Sequence, residues 1–581
     1  MPSSYRWAQK GDINAFFGLV LDNVAVMILM VSLLHETFGF PVQFALQHMI
    51  TGTALGVLFG DLLFFFLALR LARSTGNNSV TAMPLGLDTP STFGMALFVL
   101  GPAYLAGQQR GMDVEAAATF AWEIGICSMF ISGLFKLLCA LGSGWVRRVV
   151  PRAGLLGSLA AVALVLISFF PLLEVLRTPL VGLVSLAIIL TSLVGRVPLP
   201  FKLPGTVAAF LVAGSMYGVM VATGVLDSSR SQFDAADGLF PTQWLDALQF
   251  GWLARMPDTL QYLPLIIPFA LATVVGGIDC AESAIAVGDH YDTRSVIGIE
   301  AIATLAASFC GAVIQTTPYI GHPAYKAMGG RAAYTLATAL FMGVMGLLGL
   351  FGYFYQFVPA VAVFPILVFV GVEITAQSFH ATPRRHYTAV AIACVPALAA
   401  LSVNFFDQIW FDPGILDQGN NPAYAANEQL TGKVSTASIL SRGFILTSIF
   451  WASALAMAID RQLVKSAYYY FAAAVCTLFG LIHSPLPNAP LRLPFSWPGM
   501  PEWLQAFVLP VKLGGTVLSW AGGYAAAGLL LVAWAYYLRA TQQAPIDAAP
   551  AVDLPETGPV ANNVVDGKRD DNNRVDNNHS Y

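Results

Sequence analysis

Charge is what this chain has least of. Only 11% of its 581 residues are Asp, Glu, Lys or Arg, against 56% hydrophobic. Soluble domains carry roughly 25% charged residues, so an ordinary water-soluble fold is excluded. The net charge of −4 comes with no basic patch interleaved with aromatics, which excludes nucleic acid as a partner. Cysteine is sparse as well. Cys127, Cys139, Cys280, Cys310, Cys394 and Cys476 each sit alone in an apolar run, so neither metal-ligand spacing nor a disulfide framework is present. No metal or other cofactor is expected. A cleavable leader is not visible either: the polar start M-P-S-S-Y-R-W-A-Q-K-G-D runs into an apolar stretch long enough to span a membrane.

What is abundant is oil. About sixteen apolar runs are each close to the length needed to cross the hydrocarbon layer. With the N-terminus in the cytoplasm, most of the basic residues fall on the inner side, among them Arg70, Arg73, Arg147, Arg148, Arg384 and Arg385. That bias predicts both termini inside, at the cell (inner) membrane, and an even number of spans. Two outer loops are long. Residues 227–258 carry Asp227, Asp234, Asp237 and Asp246 beside W-L-D-A-L-Q-F-G-W-L, which reads as an interfacial helix. Residues 406–439 read as a polar, turn-rich loop. The segment from 541 to 581 cannot bury a core and reads as disordered.

Two runs are not plain helices. Residues 81–90 read T-A-M-P-L-G-L-D-T-P, and 316–323 read T-T-P-Y-I-G-H-P. Both place threonine, proline, glycine, a titratable residue and a second proline in order. Proline removes a donor and breaks a helix, and extended backbone at membrane depth survives only where protein shields it or a cavity solvates it. Each run is the third span of its half if the chain divides after the seventh. An odd number of spans per half inverts the second relative to the first, the signature of an inverted repeat with its substrate site near the midplane. The expected architecture is an all-α polytopic membrane protein with 7+7 inverted repeats, short extended segments in spans 3 and 10, and two further C-terminal helices. In order along the chain, it comprises a cytoplasmic N-terminus (1–13), the first repeat (14–226), an extracytoplasmic loop (227–258), the second repeat (259–460), the additional helices (461–540) and the tail (541–581).

The candidate site residues follow from this arrangement. Asp279, Glu282 and Ser283 stand at i, i+3 and i+4 on one face of span 8. Intramembrane carboxylates are costly and mark wet cavities or ion paths, so Asp279 or Glu282 is the candidate for substrate contact and proton coupling. Asp22 and Asn23 occupy in span 1 the place of Asp279 in span 8. Asp22 either pairs with a site residue or braces the broken helices. Ala82, Met83 and Pro84 in span 3 and Thr316, Thr317 and Tyr319 in span 10 are expected to line the substrate. His322 either donates to the substrate, or carries a proton, or caps a helix. For Asp61, Glu123, Lys136 and Glu300, structural pairing is the expectation.

The stretches F-F-G-L-V-L-D-N, V-T-A-M-P-L-G-L-D-T-P and T-T-P-Y-I-G-H-P-A-Y-K-A-M-G-G-R resemble the nucleobase–ascorbate transporter (xanthine/uracil permease) superfamily, most nearly its AzgA-like purine permeases. The resemblance covers roughly residues 11–405 and is strongest in span 3. It implies a core domain of spans 1–4 and 8–11, a gate domain of spans 5–7 and 12–14, and substrate between the tips of spans 3 and 10. It also implies a proton-coupled purine permease, not an enzyme, whose partners are a small-molecule substrate, protons, the lipid bilayer and, in some arrangements, a second copy of the chain. One departure stands out. Where those permeases read T-Y-I-E-S, this chain has Gly321 and His322, so the carboxylate that would accept base N–H donors is missing. A small anion on the same fold, as in sulfate permeases, is the alternative. A membrane-embedded enzyme or sensor is the alternative from another class, and no paired metal ligands or nucleotide loop support it.

Overall fold

The computed structural model describes residues 5–142, 151–195, 205–226, 234–319, 321–357, 360–410, 427–486 and 511–541, with a few isolated positions between. Most of the described residues are helical, and two three-residue strands stand among them.

The first half comprises α1 (Gly11–Phe38), α2 (Val42–Thr75), strand β1 (Leu85–Leu87), α3 (89–109), α4 (Val114–Leu141), α5 (Ala153–Arg177), α6 (Pro179–Val194) and α7 (Gly205–Ala222). The second comprises α8 (Leu263–Ala286), α9 (Thr293–Phe309), strand β2 (Thr316–Pro318), α10 (His322–Ala327), α11 (Ala333–Leu348), α12 (Ala360–His380) and α13 (Tyr387–Trp410). It ends on α14, a pair of helices, Glu428–Ser441 and Phe444–Ile459. Two more follow, α15 (Leu463–Leu478) and α16 (Val511–Ala540). Among the described residues, seven helices are long and apolar enough to cross a membrane alone. The remaining spans are shorter or interrupted.

The packing repeats when the halves are exchanged. α4 lies on α9 as α11 lies on α2, and α8 on α4 as α1 on α11. β1 rests on α1 and α2, and β2 on α8 and α9. Among the remaining helices, α5 meets α13 and α14 as α12 meets α6 and α7. This is the 7+7 inverted repeat, with extended segments in spans 3 and 10. The two halves also meet where α2 crosses α9. Gly52, Gly56 and Gly60 line α2 at four-residue intervals there. A Cβ at Gly56 would lie 2.6 Å from that of Ala307, and one at Gly52 would strike the Cys310 carbonyl. Small residues at such spacing let two membrane helices approach backbone to backbone.

Local signals place the breaks. Asp88 ends the extended run of span 3 and caps α3, its Oδ2 accepting from Ser91 N at 2.7 Å, with Pro90 in the first turn. Aspartate at the cap and proline just inside are the residues a helix start favours. Asp292 caps α9 in the same way.

Two expectations for the outer loops are corrected. Residues 243–255 form two short 3₁₀ segments, not one interfacial helix, because Phe250 turns to φ 58° between them. From residue 428 the expected polar loop is instead a helix, which meets its continuation at 81°. Gly443, at φ 71°, supplies that corner. Residues 411–426 and the tail from 542 lie outside the described residues.

Candidate functional site

The two broken spans meet each other. β1 of the first half pairs antiparallel with β2 of the second, in the register Leu85 to Pro318, Gly86 to Thr317 and Leu87 to Thr316. The ladder extends at both ends: Asp88 N donates to Gln315 O and Tyr319 N to Pro84 O, each at 2.8 Å. Strand pairing satisfies polar backbone that no helix takes up, as membrane depth demands.

Side chains from the flanking helices satisfy the outward-facing groups. Leu87 N donates to Asn23 Oδ1 at 3.0 Å, and Leu85 N to Asp61 Oδ1 at 3.2 Å. On the other strand, Lys136 Nζ donates to the Thr316 carbonyl at 3.1 Å and Cys280 Sγ to the Pro318 carbonyl at 3.3 Å. Asn23 and Cys280 thus serve matching roles on α1 and α8. Their neighbours Asp22 and Asp279 flank the bridge from the two halves.

The residues expected to contact substrate divide into two groups. Ala82, Met83 and Pro84 are buried inside the helical body. Ala82 N donates to Arg331 O at 2.7 Å, and Tyr334 OH donates to Ala82 O at 2.6 Å, so Ala82 is strapped to the turn before α11 and to that helix's first residues. Thr316 is buried as well. Thr317, Asp22, Asp279 and Glu282 are half-buried, and Tyr319 is 37% exposed. In β2 the side chains alternate, 316 and 318 inward, 317 and 319 outward, the period-2 pattern of a strand. The outward group is the accessible, open side of the junction. Tyr319 lies within electrostatic range of Asp22 on α1 and of Glu373 on α12, two helices that touch each other. Asp22 Oδ2 would lie 3.6 Å from a Cβ on Gly86. Asp279 and Glu282 both make polar or electrostatic contacts of their own.

His322 lies elsewhere. It is fully buried, with Nε2 2.9 Å from Asp289 Oδ2. Asp289, in the loop after α8, also holds Lys326 Nζ at 2.6 Å and Thr81 N at 3.2 Å. Tyr291 OH donates to the Thr81 carbonyl at 2.6 Å. This ion cluster ties the α8–α9 loop to both broken spans. Burial pushes the Asp289 carboxyl up, but the bonds from His322 and Lys326 outweigh it and hold it below the usual carboxylate range.

No family model matches the chain, and no curated protein does. Among solved structures it is similar to the transmembrane domain of a cyanobacterium bicarbonate transporter, BicA. That match has 16% identity and a TM-score of 0.43, over 69% of this chain and 97% of that one. It is also similar to SLC26A9, with 12% identity and a TM-score of 0.44, over 91% and 92% of the two chains. These neighbours are SLC26/BicA proteins, not nucleobase–ascorbate transporters, and the family expected from the motifs is corrected on that finding. The physical reason is in span 10. Glycine stands at 321 in place of the purine-reading glutamate, and His322 is committed to Asp289.

Asp88, the titratable residue of the span-3 motif, is its half-buried end. The sequence pattern singles out neither Asp289, in the loop after α8, nor Glu373, a lone acid within an apolar run. Lys136 and Glu300, expected to pair, lie 2.9 Å apart. Glu123 pairs with Arg255 at 2.8 Å. Asp61 holds β1 through a backbone bond.

Proposed function

We propose that this chain is a secondary active transporter that moves a small anion together with protons or another cation, by alternating access. The β1–β2 bridge carries the reading. Two interrupted spans from inverted halves meet at their tips, and the outward residues of that junction face the second group of helices. Such a junction has no role in a merely structural bundle, because continuous helices satisfy their own backbone at less cost. In this reading α1–α4 and α8–α11 move as a core against α5–α7 and α12–α14.

The choice of cargo rests on charge. Lys136 stands directly behind β2. A carboxylate to accept the N–H donors of a base is missing at 321. Yet Asp22 and Glu373 lie in electrostatic range of Tyr319, and Asp279 and Glu282 are half-buried on α8, so in this reading an anion would be repelled unless positive charge accompanies it. Asp279 and Glu282 are the groups assigned to that coupling. Both termini are placed on the cytoplasmic side of the inner membrane, on the strength of the arginine bias.

Purified protein in proteoliposomes would be tested for uptake of labelled sulfate and bicarbonate under imposed pH and sodium gradients. Uptake driven by either gradient is expected. Saturable movement of a neutral solute, undisturbed by excess of both anions, would overturn the assignment.

A further inference from the structure

The halves are built alike but not charged alike. α4 packs on α9, and its counterpart α11 packs on α2. Each outer member of these pairs carries one acid beside its own strand, Glu300 on α9 and Asp61 on α2. α4 adds Lys136, whereas α11 contains no charged residue along its whole length. A cation therefore stands behind β2 and not behind β1.

The surroundings of that cation are specific. Lys136 and Glu300 are both fully buried and 2.9 Å apart. The ammonium donates to the Thr316 carbonyl at 3.1 Å and lies 3.4 Å from Thr304 Oγ1, which bonds the Thr316 hydroxyl at 3.2 Å. Glu300 reaches α8, where a Cβ on Gly277 would come within 2.7 Å of Oε2. Thr273 of α8 stands beside it, and Cys139 of α4, Cys280 of α8 and Asp88 at the tip of span 3 all interact with it electrostatically. Asp88 interacts with Lys136 as well. A buried ion pair is seldom a net source of stability, since desolvating two charges offsets their attraction. Packing alone does not account for this one, and its ammonium ends on the strand that faces the opening.

We propose that Lys136 and Glu300 are positioning residues for the β1–β2 bridge. Lys136 draws the Thr316 carbonyl back into the helical body, which turns Thr317 and Tyr319 towards the opening, and Glu300 holds Lys136 in place. The proposal rests on the transporter reading only for its consequence, solute affinity. Its structural part stands apart from that reading.

Lys136→Met alone would strand a buried carboxylate, so the informative variant is the double Lys136→Met/Glu300→Gln, which removes both charges at similar volume. It is expected to elute like the parent and to stay folded, with a modestly lower melting temperature from the unpaired Thr316 carbonyl. Its amides over Thr316–Tyr319 should exchange with deuterium faster, and its KM for the transported anion should rise about tenfold, the loss of a charged hydrogen bond, with a smaller change in maximal rate. Lys136→Arg keeps the charge and the donors, and should retain parental exchange and KM. A double variant with parental exchange at Thr316–Tyr319 overturns the proposal, whatever its transport. Faster exchange in the double variant, beside a parent chain that moves no anion, leaves the positioning role standing and removes the transporter reading instead.

Discussion

Asn23 Oδ1 accepts the backbone N–H of Leu87 across 3.0 Å, joining the middle of the first helix to the extended tip of the third span. Both residues are buried, and the other end of the Asn23 amide is spent on Leu19 O at 3.0 Å. The side chain thus bridges a regular helix and an interrupted one.

Asn23→Ala should therefore leave the Leu87 N–H buried and unpaired, at a cost of about 1–3 kcal/mol. A lowered melting temperature in detergent, with expression retained, is the expected result. Asn23→Asp, which keeps the acceptor, should fall between the two. An unchanged melting curve for the alanine variant would show that the bridge does not depend on this bond.

Gly56→Leu should disrupt the crossing of α2 and α9. Overpacking a close contact commonly costs about 1–3 kcal/mol, and here the two inverted halves have no space to separate. Loss of the monodisperse peak on size-exclusion chromatography is the measurement. Gly214→Leu is the control, since a Cβ there meets nothing within 4 Å.

The Asp289 cluster sets an acid limit on stability. Its carboxyl is held below the ordinary carboxylate range when folded. A depressed folded value contributes stability that is fully present above the unfolded value and is lost as pH falls through the folded one. Melting temperature should therefore drop as pH is taken from the ordinary aspartate range downwards. Asp289→Asn should lower stability at neutral pH and flatten that acid limb. A variant whose acid limb matches the parent's would remove Asp289 as its cause.

Coupling is assigned to α8. Asp279→Asn and Glu282→Gln should be compared for uptake with and without an imposed pH or sodium gradient. Whichever acid carries the coupling, its variant should retain binding, seen as a thermal shift with the anion, and lose the response to the gradient. If both variants respond as the parent does, the coupling group lies elsewhere, with Asp22 and Glu373 next to be examined.

Much of this architecture was legible before any coordinates. The apolar runs, their number and the matched Thr-Pro-Gly interruptions are one-dimensional signals, since bilayer thickness sets run length and proline breaks helices wherever it falls. The placing of Asp22 and Asn23 opposite Asp279 was read from the same pattern, whereas the match of Asn23 with Cys280 came only from their bonds to the two strands. The roles of individual residues were less so. His322 reads as a site residue because it is titratable and lies in a broken span, yet Asp289, 33 positions away in the chain, takes it. Ala82–Pro84 read as substrate contacts, yet Arg331 and Tyr334 enclose them.

Composition and periodicity alone determined that this chain lives in a bilayer, and that it interrupts itself at two matching places. Those properties follow from the local cost of putting backbone or charge into hydrocarbon, which each segment meets separately. Only the tertiary structure decided that the interruptions pair as strands, that Lys136 stands behind one and not the other, and that His322 is held by Asp289. Such facts depend on which helices become neighbours, and that is fixed by packing between segments far apart in the chain.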